Sequence, residues 1–349
     1  MDKNIDPRLV VPSFINKPDV RFFDVASVPF SLHGVKKYEE GFARLPRSVA
    51  ERINPRAAKF SKATAGGRVR FRTNSTYIAI RAHLGDIYRI SMLTLTLSAG
   101  FDLYEGREYL GSFNPPYEIQ NGGVYEAALN LGERRERELT LNMPQYAQVI
   151  DLEIGIDGEA TLSPPTDYRI SSPIVFYGSS ITHGACASRS GLTFVNRISR
   201  DLCADVYNLG FGAGCRGELE IAEYIGSLPP SVAVIGYDHN APNKEKLRAT
   251  HFPFVERLRS LLPETPIILV SRPDVKESFE GLERFEIIKE TYHRLHGSGD
   301  KRVHLVFGGE LLTSAEHTHD GIHPNDLGEA EISSKLAEYI KTALNVNNY

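Results

Sequence analysis

Residues 176–184 read FYGSSITHG, a stretch in which an apolar run ends and small polar residues follow. The run IVFY at 174–177 predicts a short buried strand, and Gly178-Ser179-Ser180 predicts a turn into a helix. A serine in such a turn usually caps the N-terminus of the helix. It can also be a nucleophile held at the mouth of a pocket, so the rest of the chain has to distinguish a cap from a reactive hydroxyl.

The chain from Ile174 onward repeats one pattern, a short apolar strand followed by a helical stretch. Strands are predicted at IVFY, VYNL, VAVIG, IILV and VHLVF. Helices are predicted at about 192–203, 217–227, 247–262, 280–296 and 326–344. Five strand-then-helix units indicate a parallel sheet with helices on both faces, an α/β/α arrangement.

The chain before residue 162 alternates apolar and polar residues, as in TYIAIRAHL and ERELTLNMPQYAQVIDLEIGID. Short alternating strands with close turn signals favour a sandwich of two antiparallel sheets, which we expect to be jelly-roll-like. The segment LSPPTDYRISSP at 162–173 is the predicted connector. We therefore predict an all-β domain over 1–165 and an α/β domain over 170–349.

Composition excludes several classes of function. The 349 residues carry a formal net charge of −4, which provides no broad basic field for nucleic acid, so a small-molecule partner is expected. No apolar run is long enough to span a membrane. The first twenty residues contain charges that argue against a signal peptide, at Asp2, Lys3, Asp6 and Arg8. Reduced thiols, and hence a cytoplasmic location, are indicated by an odd number of cysteines without metal spacing, Cys186, Cys203 and Cys215.

Polar residues follow four of the five predicted strands. They occur in Gly178-Ser179-Ser180, in GFGAG from Gly210, in YDHNAP from Tyr237 and in HTHDGIHPND from His317. In an open parallel sheet these loops meet outside the carboxyl ends of the strands, where ligands collect. The four loops are therefore expected to form one site.

Three residues of these loops suit nucleophilic catalysis. A serine hydroxyl needs a base to accept its proton, and the base needs a partner that fixes its tautomer. Ser180, His323 and Asp320 can take these roles, since DGIHP presents carboxylate and imidazole three residues apart. Oxyanion donors are available from the GFGAG backbone, the Asn240 amide and the Ser180 N–H. Each feature alone also fits an ordinary turn or helix cap.

FYGSSITHG, NLGFGAG, YDHNAP and DGIHPND, in this order, resemble the four sequence blocks of the SGNH subgroup of GDSL hydrolases, over about residues 170–345. AGFDLY at 99–104 resembles the Gly-x-Asp-Leu-Tyr signature of the sandwich domain that precedes some members. The resemblance implies a flavodoxin-like hydrolase domain. It also implies that Ser180 is the nucleophile, with Asp320 and His323 completing a triad.

The resemblance further assigns the oxyanion hole to the block-two glycine and the block-three asparagine. The block-two glycine falls on Ala213, whose N–H can serve if its φ is not required to be positive; Gly212 and Gly214 are the neighbouring alternatives. Block three is unusual, so Asn240 is preferred over Asp238 and His239. Ser179 replaces an aspartate that many members carry.

We expect a serine esterase that removes a short acyl group, acetyl in the first place, from a sugar or another hydroxylated small molecule. The sugar rests on analogy with carbohydrate esterases that pair a sandwich with this hydrolase domain. An acyltransferase would use the same residues. The mechanism requires no metal or other cofactor, and a homo-oligomer stays open.

Two other classes compete with the esterase. A metallohydrolase would use the clustered imidazoles and carboxylate at His317, His319, Asp320 and His323. An inactive glycan-binding module would keep the sandwich as the binding part and the second domain as a scaffold. Asp102 and Tyr104 of GFDLY are expected to be structural parts of the sandwich, with Tyr104 able to face the cleft.

Overall fold

The computed structural model describes residues 15–274 and 279–346. The charged positions used above against a signal peptide lie outside the described residues. Within the described ranges, no helix combines the length and the apolar character that a membrane span needs.

Residues 15–165, the described part of the first half, contain twelve strands and three short α-helices. The strands are β1 Arg21–Asp24, β2 Ser31–His33, β3 Lys36–Tyr38, β4 Gly41–Ala43, β5 Arg68–Thr73, β6 Tyr77–Ile87, β7 Phe101–Glu105, β8 Glu108–Phe113, β9 Val124–Asn130, β10 Arg137–Asn142, β11 Ala147–Ile156 and β12 Leu162–Ser163. The helices are α1 Arg47–Ala50, α2 Pro55–Ser61 and α3 Leu95–Ala99.

The second half alternates strand and helix along the part of the chain that the structure describes. Its strands are β13 Ile170–Gly178, β14 Ala204–Gly210, β15 Val232–Gly236, β16 Ile267–Val270 and β17 Val303–Val306. Its α-helices are α4 Ser180–His183, α5 Phe194–Leu202, α6 Leu219–Gly226, α7 Lys244–Leu261, α8 Phe279–Gly297 and α9 Asp326–Ala343.

The five later strands form one parallel sheet in the order β14-β13-β15-β16-β17. Alternate residues of β13 face opposite sides, because strand side chains alternate. Val175 and Tyr177 pack in a core with α6, α7 and α8, whereas Ile174 and Phe176 pack with α5 and α9. The predicted flavodoxin-like α/β/α domain is confirmed, and its helix ends lie within about three residues of the expected positions.

Two antiparallel sheets precede this domain, as expected. One has the order β1-β11-β6-β9 and the other β12-β5-β10-β7-β8, with β2 beside β5. Inward residues of both sheets, such as Ile80, Leu152, Phe71 and Leu141, share one core. β12 still pairs with β5, and β13 begins at Ile170, so the predicted domain limits at 165 and 170 fall between these two strands.

The alternating pattern did not predict α1, α2 and α3. These helices have four, seven and five residues, too few to display a helical period. Local signals were nevertheless present for α2. Asn54 accepts hydrogen bonds from the backbone N–H groups of Arg56 and Ala57, and Pro55 occupies the first helical position.

Arg44, which follows β4, joins the two halves from a fully buried position. Its guanidinium donates to the carbonyl oxygens of Ala63 and Phe60 at 2.8 and 2.6 Å. It also donates to the carbonyl oxygens of Asn208 and Gly210 at the end of β14, at 2.9 and 2.7 Å. Burial lowers the pKa of Arg44 to about 9, which leaves the group charged at neutral pH.

We predict that Arg44→Met destabilises the protein by at least about 3 kcal/mol, since four buried carbonyl oxygens lose their donor. The midpoint of urea unfolding measures the loss. Arg47→Ala is the control, because Arg47 pairs with Glu51 and Glu40 at an exposed position and its loss should leave the midpoint nearly unchanged. Equal midpoints for the two variants would contradict the role of Arg44.

Candidate active site

Two adjacent serines at the end of β13 have different roles. Ser179 is the cap of α4, and its Oγ accepts a hydrogen bond from the Ile181 N–H at 3.2 Å. Ser180 is the first residue of the helix and its hydroxyl does not cap. The turn therefore contains both the ordinary helix cap and a second hydroxyl that is free to react.

The Ser180 hydroxyl meets His323 from the far end of the sequence. Ser180 Oγ lies 2.8 Å from His323 Nε2, and His323 Nδ1 lies 2.8 Å from Asp320 Oδ2. The carboxylate accepts a hydrogen bond from the Nδ1–H group, so Nε2 has the lone pair that faces the hydroxyl. The structure thus brings the three predicted residues into a serine–histidine–aspartate relay.

Asp320 is held in its ionised form by the same loop. Burial alone would raise its pKa, but hydrogen bonds from the His323 N–H, the His323 ring and the Ile322 N–H lower it from the ordinary value. The His323 N–H donates to Asp320 Oδ1 at 2.8 Å. The carboxylate is therefore fixed by the backbone as well as by the imidazole that it orients.

The loop after β14 lies directly beside Ser180. A Cβ placed on Gly212 would lie 3.5 Å from Ser180 Cβ, an ordinary contact distance, so the backbone at Gly212 lies next to Ser180. Ala213 has a φ of 57°, so the expectation that Ala213 needs no positive φ is wrong, and the N–H of this left-handed residue stays a candidate donor only because it has no other acceptor among the described residues. The Gly214 N–H donates to Phe211 O at 2.7 Å and is already used. Across the described chain no acceptor binds the N–H groups of Gly212 or Ala213, which leaves these two as candidate oxyanion donors.

Asn240 lies against the same loop. Its Nδ2 donates to the Phe211 carbonyl oxygen at 3.0 Å, and an amide nitrogen carries a second hydrogen for a further acceptor. Arg284 of α8 supports this turn by donating to the carbonyl oxygens of Asp238 and Ala241 at 2.6 and 3.0 Å. Asn240 thus joins the loop after β15 to the loop after β14.

The alternatives to Asn240 are the buried Asp238 and the partly buried His239. Asp238 Oδ2 accepts the Arg272 N–H at 3.1 Å, and burial raises the pKa of Asp238 to about 6. Burial, reinforced by the nearby Arg272 charge, lowers the pKa of His239 to about 4. Both groups are suited to holding the turn in place beneath Asn240.

The histidines of the last loop do not gather as metal ligands. His317 Nδ1 pairs with Glu331 Oε2 of α9 at 2.8 Å, away from the pair formed by His323 and Asp320. Within residues 15–274 and 279–346, no three His, Cys, Asp or Glu side chains are placed to hold one metal ion.

Helix α2 of the first half forms one wall beside Ser180, which the local sequence did not predict. Arg56 of α2 donates from Nε to the Gly212 carbonyl oxygen at 3.1 Å, and its guanidinium lies 4.8 Å from the Phe60 ring centroid. Phe60 Cε2 would lie 3.7 Å from a Cβ at Gly212. The Asn54-Pro55 cap signal indicated a helix here, but no local signal indicated that it packs beside Ser180.

The GFDLY motif has a connecting role. Phe101 and Leu103 face the sandwich core, and Asp102 and Tyr104 alternate to the other side. Asp102 accepts from the Gly191 N–H at 2.7 Å and from Arg189 at 3.0 Å, and Arg189 also donates to the Tyr104 hydroxyl. Both residues therefore hold the segment between α4 and α5 instead of serving only the sandwich.

Two glycine substitutions separate catalysis from folding in this loop. In Gly212→Ala the methyl group would meet its neighbours at ordinary contact distances, so the melting temperature should stay unchanged. We expect kcat/KM for an activated ester to fall about tenfold or more, because the methyl group would occupy space beside Ser180 that a bound ester needs. In Gly214→Ala the new Cβ would lie 2.8 Å from the Ala57 backbone nitrogen, so the melting temperature should fall. A Gly212→Ala protein with full activity would contradict the position assigned to Gly212.

Comparison with known proteins gives the same answer for both halves. Residues 171–341 match the model of the GDSL-like lipase/acylhydrolase family, and residues 20–162 match the model of the N-terminus of SGNH-hydrolase-type esterases that carries the GxDLY motif. No curated protein matches the sequence significantly.

Three solved structures illustrate the similarity. A protein described as a GDSL-like lipase, from Bacteroides ovatus, is 28% identical with a TM-score of 0.83, over 94% of this chain and 99% of that one. The salicylyl-acyltransferase SsfX3 of a tetracycline biosynthetic pathway is 21% identical, with a TM-score of 0.78 over 94% and 98%. An acetyl xylan esterase from the rumen bacterium Butyrivibrio proteoclasticus is 13% identical, with a TM-score of 0.63 over 94% and 100%.

The last two structures share the fold at identities too low to carry their substrates over to this chain. The two family models together extend from the first sheet of the sandwich to the last helix of the α/β domain. The chain therefore belongs to the GDSL-like lipase/acylhydrolase family, as an ester-hydrolysing enzyme of SGNH type with a GxDLY domain before it.

Proposed function

We propose that this protein is a serine esterase that removes a short acyl group, in the first place acetyl, from a carbohydrate or another hydroxylated small molecule. The observation that carries the proposal is the pair of 2.8 Å contacts that link Ser180 Oγ to His323 and His323 to Asp320. The geometry matches what an acyl-enzyme mechanism needs from a nucleophile, a base and an orienting carboxylate.

In the first step His323 Nε2 accepts the Ser180 proton as Oγ attacks the ester carbonyl carbon. The carbonyl oxygen becomes an oxyanion, which the N–H groups of Ser180 and of Gly212 or Ala213, with the Asn240 amide, would hold. His323 then gives its proton to the departing alcohol, and an acyl-Ser180 remains. Asp320 stabilises the imidazolium throughout.

In the second step water attacks the acyl-enzyme. His323 accepts a proton from the water, the new oxyanion collapses, and the proton returns to Ser180 Oγ as the acid leaves. The net reaction converts ester and water into acid and alcohol. Every proton is carried by His323, so the mechanism calls for no metal or other cofactor.

Support for a sugar ester comes from domain arrangement. The acetyl xylan esterase aligns with nearly all of this chain and has the same fold, and its name describes an enzyme that acts on acetylated xylan. A fold alone does not determine a substrate. The acetylated saccharide is therefore the first substrate class to test.

Acyl transfer is the second candidate, and one comparison favours it. The salicylyl-acyltransferase SsfX3 aligns over 94% of this chain and 98% of its own length. The chemistry differs only in the second step, in which an alcohol instead of water attacks the acyl-enzyme. An inactive glycan-binding module has less support, because a complete relay is present.

Labelling and substitution test the nucleophile together. A serine-reactive phosphonate should modify the protein once, with the adduct on the peptide that contains Ser180, and Ser180→Ala should lower kcat on an activated acetyl ester by about a thousandfold or more. Ser179→Ala is the matched control. It removes only the helix cap and should cost about 1 kcal/mol of stability, with the label retained.

Full turnover by Ser180→Ala would end the serine mechanism, and sensitivity of that turnover to chelators would favour a metallohydrolase. If the wild-type protein hydrolyses no activated ester but still binds glycans after Ser180→Ala, the binding-module hypothesis would replace the esterase. Adding an excess of acceptor alcohol separates the remaining two activities, because an acyltransferase forms the new ester faster than free acid.

A separate prediction tests the oxyanion assignment in the loop after β15. Asn240→Ala should lower kcat roughly a hundredfold or more, since one donor to the oxyanion is lost. Asn243→Ala is the control, because Asn243 Oδ1 caps α7 by accepting from the Lys246 N–H, and its loss should affect melting temperature instead of kcat. Unchanged kcat in a folded Asn240→Ala protein would remove Asn240 from the mechanism.

A further inference from the structure

The outer face of one sandwich sheet lies against helix α5 of the second half. In β5, Val69 and Phe71 belong to the sandwich core, so Arg68 and Arg70 extend from the opposite face of the sheet. Close to the GFDLY strand this face contacts the second half directly, through Asp102 and Gly191. Arg68 on the same face also reaches the second half, at Asp205, and beside these contacts the two halves leave a space between them.

The space between them is a cleft of about 170 Å³, which we name the arginine cleft. Its wall includes four arginines, Arg68, Arg70, Arg107 and Arg200, together with Asn142 and Asn196. No Asp or Glu is among its lining residues in the described part of the chain. The side chains that line the cleft are therefore cationic or neutral, although Asp205 and Glu138 pair with Arg68 and Arg70 from outside the lining. A lining of this kind in a partly enclosed space attracts anions.

Two of these arginines already bond to groups of the second half. Arg68 donates to the Tyr168 hydroxyl, the Gly66 carbonyl oxygen and Asp205 at 3.0, 2.6 and 2.6 Å. Arg107 donates to the Asp201 carbonyl oxygen at 2.8 Å, at the end of α5. Arg68 therefore contributes charge but few free donors, whereas the exposed Arg107 keeps most of its donors in solvent.

Arg70 and Arg200 retain unused donors. Arg70 makes one ion pair, with Glu138, and its guanidinium stacks 4.0 Å from the Tyr168 ring centroid. Arg200 donates once, to the Gly191 carbonyl oxygen at 3.0 Å, and stacks 4.2 Å from the Tyr104 ring centroid. Among residues 15–274 and 279–346, no carboxylate forms an ion pair with Arg200.

The polar environment of Arg200 is incomplete without a ligand. Burial lowers the pKa of Arg200, which shows that its charge is only partly solvated. Asn196 is 1% exposed, and its Oδ1 is a buried acceptor with no partner in the described chain. Because this oxygen is enclosed, a ligand in the cleft would meet the Arg200 cation instead, and hydrogen phosphate offers negative oxygens that suit a cation.

The cleft is separate from the candidate active site. Cys203, at the start of β14, lines the cleft, whereas Gly210 at the other end of β14 precedes the loop beside Ser180. Six strand steps between these ends correspond to roughly 20 Å. An anion in the cleft would thus lie at the amino edge of the parallel sheet.

We propose that the arginine cleft is a binding site for a compact phosphate-type anion, held chiefly by Arg70 and Arg200. Planar guanidinium groups offer paired N–H donors that match phosphate oxygens. The anion would bridge the sandwich strand β5 and helix α5, adding an ionic link between the halves beside the contact made by Asp102. The inference does not depend on the esterase reaction.

Calorimetric titration of the full chain with inorganic phosphate tests the proposal, with sodium chloride keeping the ionic strength constant. Saturable binding is expected, and Arg200→Met should weaken it about tenfold to a hundredfold, the effect of losing charge-assisted hydrogen bonds. Arg72→Met is the matched control, because Arg72 lies on the same strand and donates to the Pro164 carbonyl oxygen outside the cleft.

A second variant covers the case in which Arg200→Met fails to fold. Arg107 is exposed, and Arg107→Ala should weaken phosphate binding by about twofold or more through the loss of local charge. A parallel titration with glucose 6-phosphate distinguishes the two sources of the anion. Tighter binding of glucose 6-phosphate would indicate a phosphate group on a larger molecule, and tighter binding of inorganic phosphate would indicate the free ion.

Two results would overturn the proposal. One is the absence of saturable phosphate binding by the wild-type protein at constant ionic strength. The other is equal affinity in wild type, Arg200→Met and Arg107→Ala, which would place the anion elsewhere, for example at the oxyanion donors near Ser180.

Discussion

The geometry of this protein depends on one buried cation, Arg44, at the joint between its halves. Its guanidinium donates to four carbonyl oxygens that belong to α2, the segment after it and the end of β14. A charge in the interior is tolerated only when its donors are satisfied, so these segments are bound to one arrangement. Since Gly210 leads into the loop beside Ser180, the candidate oxyanion donors inherit their position from a residue of the first half.

The GFDLY strand provides a second joint, on the other side of α5. Because strand side chains alternate, Phe101 and Leu103 pack in the sandwich core. Asp102 and Tyr104 face the other side and bond to the neighbouring half. The segment they hold continues to Ser188, whose N–H and hydroxyl donate to Asp326 at the start of α9. The loop that contains His323 lies immediately before that helix. The sandwich is therefore part of the support of the candidate site.

The helix cap Ser179 and the candidate nucleophile Ser180 are adjacent residues, which explains why the local sequence was ambiguous. A single serine cannot both accept the Ile181 N–H as a cap and face an imidazole, and the chain uses Ser179 for one role and Ser180 for the other. A small residue is required just before them, because a Cβ on Gly178 would lie 2.8 Å from the Gly236 carbonyl oxygen of the neighbouring strand. Close approach of β13 and β15 thus fixes the turn that presents the hydroxyl.

The sequence by itself determined the strand and helix order of the second half, the two fold classes, and the residues able to form a relay. These follow from short-range rules: apolar periodicity, turn residues at strand ends, and the meeting of parallel strands at one edge. Ser180 was identifiable because it follows the end of a strand. Asp320 and His323 were identifiable because they lie three residues apart in the loop before the last helix. Their mutual distances stayed untested until the loops were placed in space.

Only the tertiary structure decided the surroundings of that relay. The positive φ of Ala213, the use of the Gly214 N–H by Phe211, and the wall formed by Arg56 and Phe60 arise from contacts between distant segments. The arginine cleft has the same origin, since Arg70 and Arg200 are 130 positions apart in the sequence. Local patterns report which way a side chain faces on its own element, whereas its partner depends on how whole layers pack, and no short-range periodicity carries that information.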